Sequence, residues 1–402
     1  MKTTIVECKT YEVVEVEKSF LLLCQNLGYD LNNPLGSIVK PGNTVFIKPN
    51  WVAHEYRKSV KIQDDIFSTI THPAVIRVVA KYVDIALQGE GKILIGDNPS
   101  IDCNFNKLLE VQDLYDLKEQ LKVEVVFLDL RPEWCDDLKN YGLKDKMVKQ
   151  QGDPLGSVKV NLGHNSQLSR VNSSLFRGVY TDRSESIARH TNDVQEYEFS
   201  KSLAMADVYI SIPKMKTHHK VGTTLNLKGM VGTQANKNLL VHWRVGFPMI
   251  GGDEYPSFFA WFRSKFEKVT NRGAWMGNDT IWRMVVDLYN GFNSIRERKT
   301  FSIVDGIIGG EQNGPFKPRS KHAGVLIGGE NLLEVDMFTS RLMGLNIKKI
   351  KYLSYFIENR LVDTKKCKLN GIFSGTLDEL MNSDSLFLDF VTPDAWAELK
   401  KF

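Results

Sequence analysis

Lys214, Lys216, His218, Lys228, Lys237, His242 and Arg244 all fall within one stretch, Val208 to Gly252, that holds no aspartate or glutamate, although the chain has 48 acids in 402 residues. Lysines and histidines set among glycines offer cationic donors and exposed backbone N–H groups, the two features that bind phosphate or carboxylate. Histidine exchanges a proton near neutral pH, and lysine stabilises a developing oxyanion or forms an imine. The stretch therefore has the parts to hold an anion and to move a proton beside a carbonyl or phosphate. A solvated basic face is the plainer alternative, but the cations begin where an apolar run, Val208 to Ile212, ends. His218 and His219 are adjacent, so in extended backbone they point to opposite sides and only His218 is expected to face a pocket. His218, His242, Asp97 and Asp253 are also of the types that ligate nickel, zinc or iron. Their spacing carries no His-Glu-x-x-His signature, and the neighbouring lysines repel a cation unless an anion bridges them.

The elements that must position these residues read as α/β. Four short apolar runs stop in polar turns, as buried strands of a mostly parallel sheet do. Thr44 to Ile47 leads into Lys48-Pro49-Asn50, Ile93 to Ile95 into Gly96-Asp97-Asn98-Pro99, Val208 to Ile212 into Pro213-Lys214, and Phe301 to Val304 into Asp305-Gly306. Between the first two, Pro73 to Leu87 has helical apolar spacing, with Pro at the first turn. Strand, helix and strand form a βαβ unit with parallel strands, so Asn50 and Asp97 emerge on one edge. Ligands of open α/β sheets bind beyond the carboxyl ends of the strands, which makes these turns one candidate crevice, set between two lobes if the chain has them. Lys48, Asn50, Asp97, Asn98, Lys214, Lys216, Lys237 and Arg244 are the expected substrate contacts, and His218, Lys228 and His242 the expected catalytic groups.

Further along, Val123 to Leu128 reads as a strand, Ser157 to Tyr180 alternates like β-hairpins, and Gly324 to Gly328 reads as a strand before a helix at about 332 to 343. Glu334 and Asp336 suit that helix's positive end, from which Asp336 could also orient a lysine or metal ligand. The aromatic region Tyr255 to Lys299 is expected on amphipathic helices, packed in the core or an interface in preference to a membrane surface. The organisation expected is an α/β domain over 1–345, with the aromatic region about 255–299 inserted, and a helical extension over 346–402.

Composition removes several function classes. A formal charge of +4 is too mild for a dedicated nucleic-acid binder. Five scattered cysteines form no Cys-x-x-Cys pair, so no iron-sulfur cluster is expected, and their odd number suits a reducing, cytoplasmic setting. No run approaches a transmembrane length. Nucleophile-elbow, Walker and dinucleotide fingerprints are absent, which disfavours serine hydrolases, P-loop enzymes and ordinary Rossmann dehydrogenases.

The motifs Ile47-Lys48-Pro49-Asn50, Gly96-Asp97-Asn98-Pro99, Pro213-Lys214-Met215-Lys216-Thr217-His218, Asn226-Leu227-Lys228-Gly229, His242-Trp243-Arg244 and Gly251-Gly252-Asp253-Glu254-Tyr255 resemble, in this order, the prokaryotic family called domain of unknown function 362. The resemblance covers about 40 to 345 and implies no agreed reaction; some members carry ferredoxin-like cysteine clusters, which this sequence lacks. A more distant similarity is to the nickel-pincer lactate racemases, on which His218, Lys228 and His242 would match a catalytic base, the lysine attached to the cofactor and a nickel ligand. The spacing from Lys228 to His242 is shorter here, and Leu225-Asn226-Leu227-Lys228 replaces that family's Gly-Gly-x-Lys. The expectation is an isomerase-like enzyme that binds a carboxylated or phosphorylated small molecule and transfers a proton or hydride, with a divalent metal as an open question. The alternatives are a non-catalytic anion or metallocofactor carrier, and a peripheral membrane protein of surface polysaccharide metabolism.

Overall fold

Val45 and Ile47 lie on one face of strand β1 (Thr44–Pro49) and Phe46 on the other, and each joins a different hydrophobic cluster. This period-two split recurs across a central sheet covered on both sides. The computed structural model describes residues 2–57, 64–267 and 271–401. In chain order the sheet continues with β2 (Lys92–Asp97), β3 (Glu124–Asp129), β4 (Val208–Ile212), β5 (Lys214–His218), β6 (Gly222–Thr224), β7 (Lys299–Glu311) and β8 (Arg319–Gly329). The order β8-β7-β4-β1-β2-β3 is parallel from β7 to β3 and antiparallel between β8 and β7. The N-terminal strand Lys2–Glu7 adds to β8, Lys368–Gly371 adds in parallel to that strand, and Gly375–Thr376 adds antiparallel to Lys368–Gly371, so the sheet has eleven strands among the described residues. This is the mostly parallel α/β architecture expected.

Helices α1 (Val13–Leu27) and α2 (Pro73–Leu87) cover one face, packing Phe20, Leu23, Val75, Val79 and Val83 on Val45, Ile93, Ile210 and Ile303. On the other face, α4 (Ile281–Ile295) and α5 (Leu332–Leu342) pack Met284, Leu288, Phe292, Val335 and Phe338 on Phe46, Leu94, Tyr209 and Ile327. Each such aliphatic or aromatic side chain contributes about 1.5–3 kcal/mol when fully buried. The intervening α3 (Phe258–Glu267) buries none of its residues. The aromatic region thus divides: α4 is core, α3 is surface, and 268–270 lie outside the described residues. Among the described residues no helix is long and apolar enough to cross a membrane.

Three local expectations are corrected. Asp305-Gly306 is not a turn, because β7 runs on to Glu311 through a register shift between Gly306 and Ile308. Ser157 to Tyr180 forms no hairpin: Ser157–Asn161 pairs with the distant Glu196–Ser200, and 3₁₀ turns fill much of what lies between. Lys214, expected at the crevice, lies in the core and does not line the cavity. Fully buried, its ammonium pairs with Asp305 at 2.7 Å and donates to the Ile308 carbonyl at 2.9 Å. Tyr11 donates to the other oxygen of Asp305 at 2.8 Å, and the His72 amide donates to the paired one at 2.9 Å. Breaking a buried pair strands a charge, so Lys214→Met is expected to lose about 3–5 kcal/mol in urea unfolding. The double variant Lys214→Met/Asp305→Leu should recover most of that loss; a single-variant loss below about 1 kcal/mol would contradict the pair's role.

Candidate anion site

A cavity of about 670 Å³ opens beyond the ends of β1 and β2, lined by Lys48, Asn50, Asp97, Asn98, Lys216, His218, Lys228, Lys237 and His242 among others. Eleven of the expected site residues were chosen for substrate or catalytic roles, and the cavity gathers these nine of them. Lys214 lies in the core as described above. Arg244 and Asp253 also lie elsewhere: the Arg244 guanidinium sits 3.6 Å from both Asp253 and Asp279, while Asp253 accepts from the Asp279 amide at 2.9 Å and the Thr280 hydroxyl at 2.6 Å. Asp253 ties the loop before α4 to the helix start and does not line the cavity.

Asp97 is the fixed point of the floor. One carboxylate oxygen accepts the Trp51 amide at 2.8 Å; the other accepts the Asn98 amide at 2.8 Å and pairs with Lys48 at 2.8 Å. Gly232 lies against this pair so closely that a Cβ there would collide with both side chains. Because β5 alternates, Lys216 and His218 share a face while Met215 packs in the core. The Lys216 ammonium donates only to neutral oxygens, among them Asn50 Oδ1 at 3.1 Å and the Pro315 carbonyl at 3.4 Å. Lys237 donates to the Asn98 carbonyl at 3.0 Å.

Lys228 stands on a single helical turn, Asn226–Gly229, whose start is held by Asp336 of α5. That carboxylate accepts the Asn226 and Leu227 amides at 2.8 and 2.9 Å and the Asn226 side chain at 2.8 Å. Asp336 therefore acts on the turn that presents Lys228 and does not itself line the cavity; burial raises its pKa to about 7. Among the described residues the Lys228 ammonium has neither an ion pair nor a hydrogen bond.

Several lining residues were not anticipated. His219 joins His218 at the wall, because β5 ends at His218 and the chain turns at His219 and Lys220. Lys220 lines the cavity with its ammonium 4.5 Å from the Trp243 ring centre. Arg57, Arg177 and Arg272 arrive from separate segments, and no local pattern marks them. The lining holds eight Lys or Arg against two carboxylates, Asp97 and Glu254.

This crowding shifts proton affinities. Burial, then Lys48, lowers Lys228 to about 8; burial, then Lys228, lowers Lys220 to about 7; burial, then Arg131, lowers Lys237 to about 7. Burial first and nearby lysines second hold His218 and His242 well below their ordinary range, so both rings are neutral. Their tautomers differ. His218 Nδ1 accepts the Lys220 amide at 3.0 Å, which leaves its proton on Nε2. His242 Nδ1 faces the Leu240 carbonyl at 2.8 Å and must donate to it, which leaves Nε2 bare. One ring thus offers a proton and the other a lone pair.

A divalent ion held by side chains does not fit. Among the described residues no three His, Cys, Asp or Glu groups converge, Asp97 is fully engaged, and Asp253 is taken up by the Asp279 amide and the Thr280 hydroxyl. The expected ligand set of His218, His242, Asp97 and Asp253 is not assembled.

Residues 155–341 match the family model described as Domain of unknown function (DUF362). That segment carries His218, Lys228 and His242, and the resemblance read from the motifs holds across it. Lys48, Asn50 and Asp97 lie upstream of the matched DUF362 segment. The chain is 21% identical over 343 residues to a thylakoid-associated protein of Synechocystis sp., covering 85% of this chain and 74% of that one. Among solved structures it is similar to a Thermotoga maritima protein (10% identity, 84% and 60% covered, TM-score 0.38). It is also similar to the lactate racemase apoprotein of Thermoanaerobacterium thermosaccharolyticum (13% identity, 86% and 57% covered, TM-score 0.35). The chain spans less than two thirds of the length of either structure.

An anion in the cavity raises the pKa of Lys220, Lys228 and Lys237, so sulfate binding is expected to take up protons near pH 8. Its affinity should weaken by up to roughly tenfold per pH unit above about 8. Calorimetry in two buffers of different ionisation enthalpy reads this directly, and equal heats with a flat affinity from pH 6.5 to 9 would exclude it. In the empty protein these lysines sit below their unfolded value of 10.5. The unfolded chain then holds more protons, and their contribution to stability rises with pH from about 7 to 10.5.

Proposed function

We propose that the chain is an enzyme that binds a carboxylated or phosphorylated small molecule and moves a proton on carbon next to the anionic or carbonyl group, in the manner of an isomerase or epimerase. The observation that carries this reading is the pair of neutral histidines of opposite tautomer beside unpaired lysines. His242 Nε2 would take the proton from the substrate carbon, becoming imidazolium. Lys228, aided by Lys216, would hold the negative charge that the carbon passes to its carbonyl or carboxylate oxygen, an interaction strongest in the charged intermediate. His218 would deliver its Nε2 proton to the carbon on the far side or to that oxygen, and solvent would restore both rings. Asn50, Asn98 and Lys237 would orient the substrate. Lys48 is held by Asp97 as a fixed part of the positive field.

Proton transfer is favoured over hydride transfer because the sequence has no dinucleotide fingerprint. A group-transfer role for a protein-bound divalent ion is not invoked, since the donor set does not fit one. The five cysteines are free and buried, in keeping with residence in a reducing cytoplasm. The thylakoid-associated relative adds the reading that the protein works close to a membrane.

Two measurements separate an enzyme from a carrier. In D2O, a panel of 2-hydroxy acids and aldose phosphates should include one that gains deuterium at the carbon beside its carboxyl or carbonyl group. His242→Gln should slow that exchange by about 10²–10⁴ while sulfate binding persists. Lys228→Met should weaken sulfate by about 2–5 kcal/mol. Stoichiometric sulfate binding with no exchange on any panel member would favour the carrier, and unchanged sulfate affinity in Lys228→Met would remove Lys228 from the anion site.

A further inference from the structure

Helix α3 spends ten residues on the surface with no buried side chain, yet four of them are phenylalanines. Phe258, Phe259, Phe262 and Phe266 recur at helical spacing and form one stripe. Phe259 and Phe266 are 76% and 72% exposed. The stripe is continuous: Phe258 and Phe262 stack at 6.1 Å, and Phe262 meets Phe266 at 5.0 Å. Phe247 contacts Phe258 and Trp261 and leads into the turn Pro248–Ile250, where Met249 is 87% exposed. Isolated exposed apolar residues are ordinary; a contiguous patch of aromatic groups marks a contact surface.

The patch hangs from the wall of the cavity. The Gly273 amide donates to the Glu254 carbonyl at 2.9 Å, closing the base of the excursion that carries α3. Glu254, Asn271, Arg272 and Ala274 at that base all line the cavity. Whatever covers α3 is therefore tied through a short base to the cavity wall.

We propose that α3 and the Pro248–Ile250 turn lie on an anionic membrane surface and hold the cavity wall close to it. Charge selects this occupant over a second copy of the chain. On α3 itself Arg263 and Lys265 flank the stripe against one acid, Glu267, which Arg263 holds at 2.9 Å, and at its base Arg272 stands with Glu254, so the surface keeps a net positive charge. A twofold interface would bring this cationic surface against itself. A bilayer with anionic headgroups accepts the phenylalanines in its apolar depth and the cations at its surface, which is how interfacial helices bind. With no described helix able to span, the attachment is peripheral and reversible.

The test is co-sedimentation of the full chain with vesicles of phosphatidylglycerol and phosphatidylcholine, or of phosphatidylcholine alone. Binding is expected to the phosphatidylglycerol vesicles, weakened by salt, and reduced at least roughly tenfold in Phe259→Glu/Phe266→Glu. Neither substituted residue lines the cavity, so an unchanged sulfate affinity in the double variant verifies that the fold is intact and keeps this result separate from the anion reading. The proposal is overturned if the wild-type chain stays in the supernatant with phosphatidylglycerol, or if the folded double variant sediments equally well. It is also overturned if light scattering shows a wild-type dimer that the double variant converts to monomer.

Discussion

The buried ion pair of Lys214 and Asp305 sets the course of the chain through the site. Pro213 interrupts the run from β4 to β5, and the pair then fastens β5 alongside the long strand β7. From that anchor, the alternation of extended backbone turns Lys216 and His218 toward the cavity and Met215 into the core. The same carboxylate receives the amide that opens α2 and the hydroxyl of Tyr11, whose ring stacks on His72 at 3.7 Å. One acid thereby ties the N-terminal segment, the first crossover helix and the two strands that bound the site.

The second organising fact is an imbalance. Asp97 is committed to Lys48 and to two backbone amides, and Asp336 to the turn beneath Lys228, so each acid positions a cation or its support. Neither is placed to neutralise Lys216, Lys220 or Lys228 fully. Uncompensated ammonium groups in a low-dielectric wall are costly, and their depressed pKa values express that cost. A ligand bearing negative charge would relieve it, and its binding would then be coupled to protonation.

Much of this frame was legible in the residues. The runs at Val45, Ile93 and Ile210 end in Pro or Gly turns, and both the strands and the shared edge follow from that pattern; Pro73 marks the start of α2. What remained hidden depends on partners distant in sequence. Ser157–Asn161 alternates as a hairpin strand does, but its partner is Glu196–Ser200, and nothing local announces it. Asp305-Gly306 carries a turn signature that a bulge within β7 absorbs. Arg57, Arg177 and Arg272 reach the cavity only because three separate segments converge, and His219 does so because the chain bends one residue after β5. Arg244 and Asp253 have the right types in the right stretch, yet they satisfy each other's neighbourhood.

The position of the strand Lys2–Glu7 bears on how the molecule is made. It lies between β8 and Lys368–Gly371, so this strand gains its sheet neighbours only after more than three hundred further residues have left the ribosome. The unit β1-α2-β2-β3 is complete far earlier and can collapse alone, but the edge that β4 later occupies stays open meanwhile. Assembly of this kind is slow and leaves an unpaired apolar edge during synthesis. The cavity, drawn from both halves of the chain, closes only late in this sequence of events.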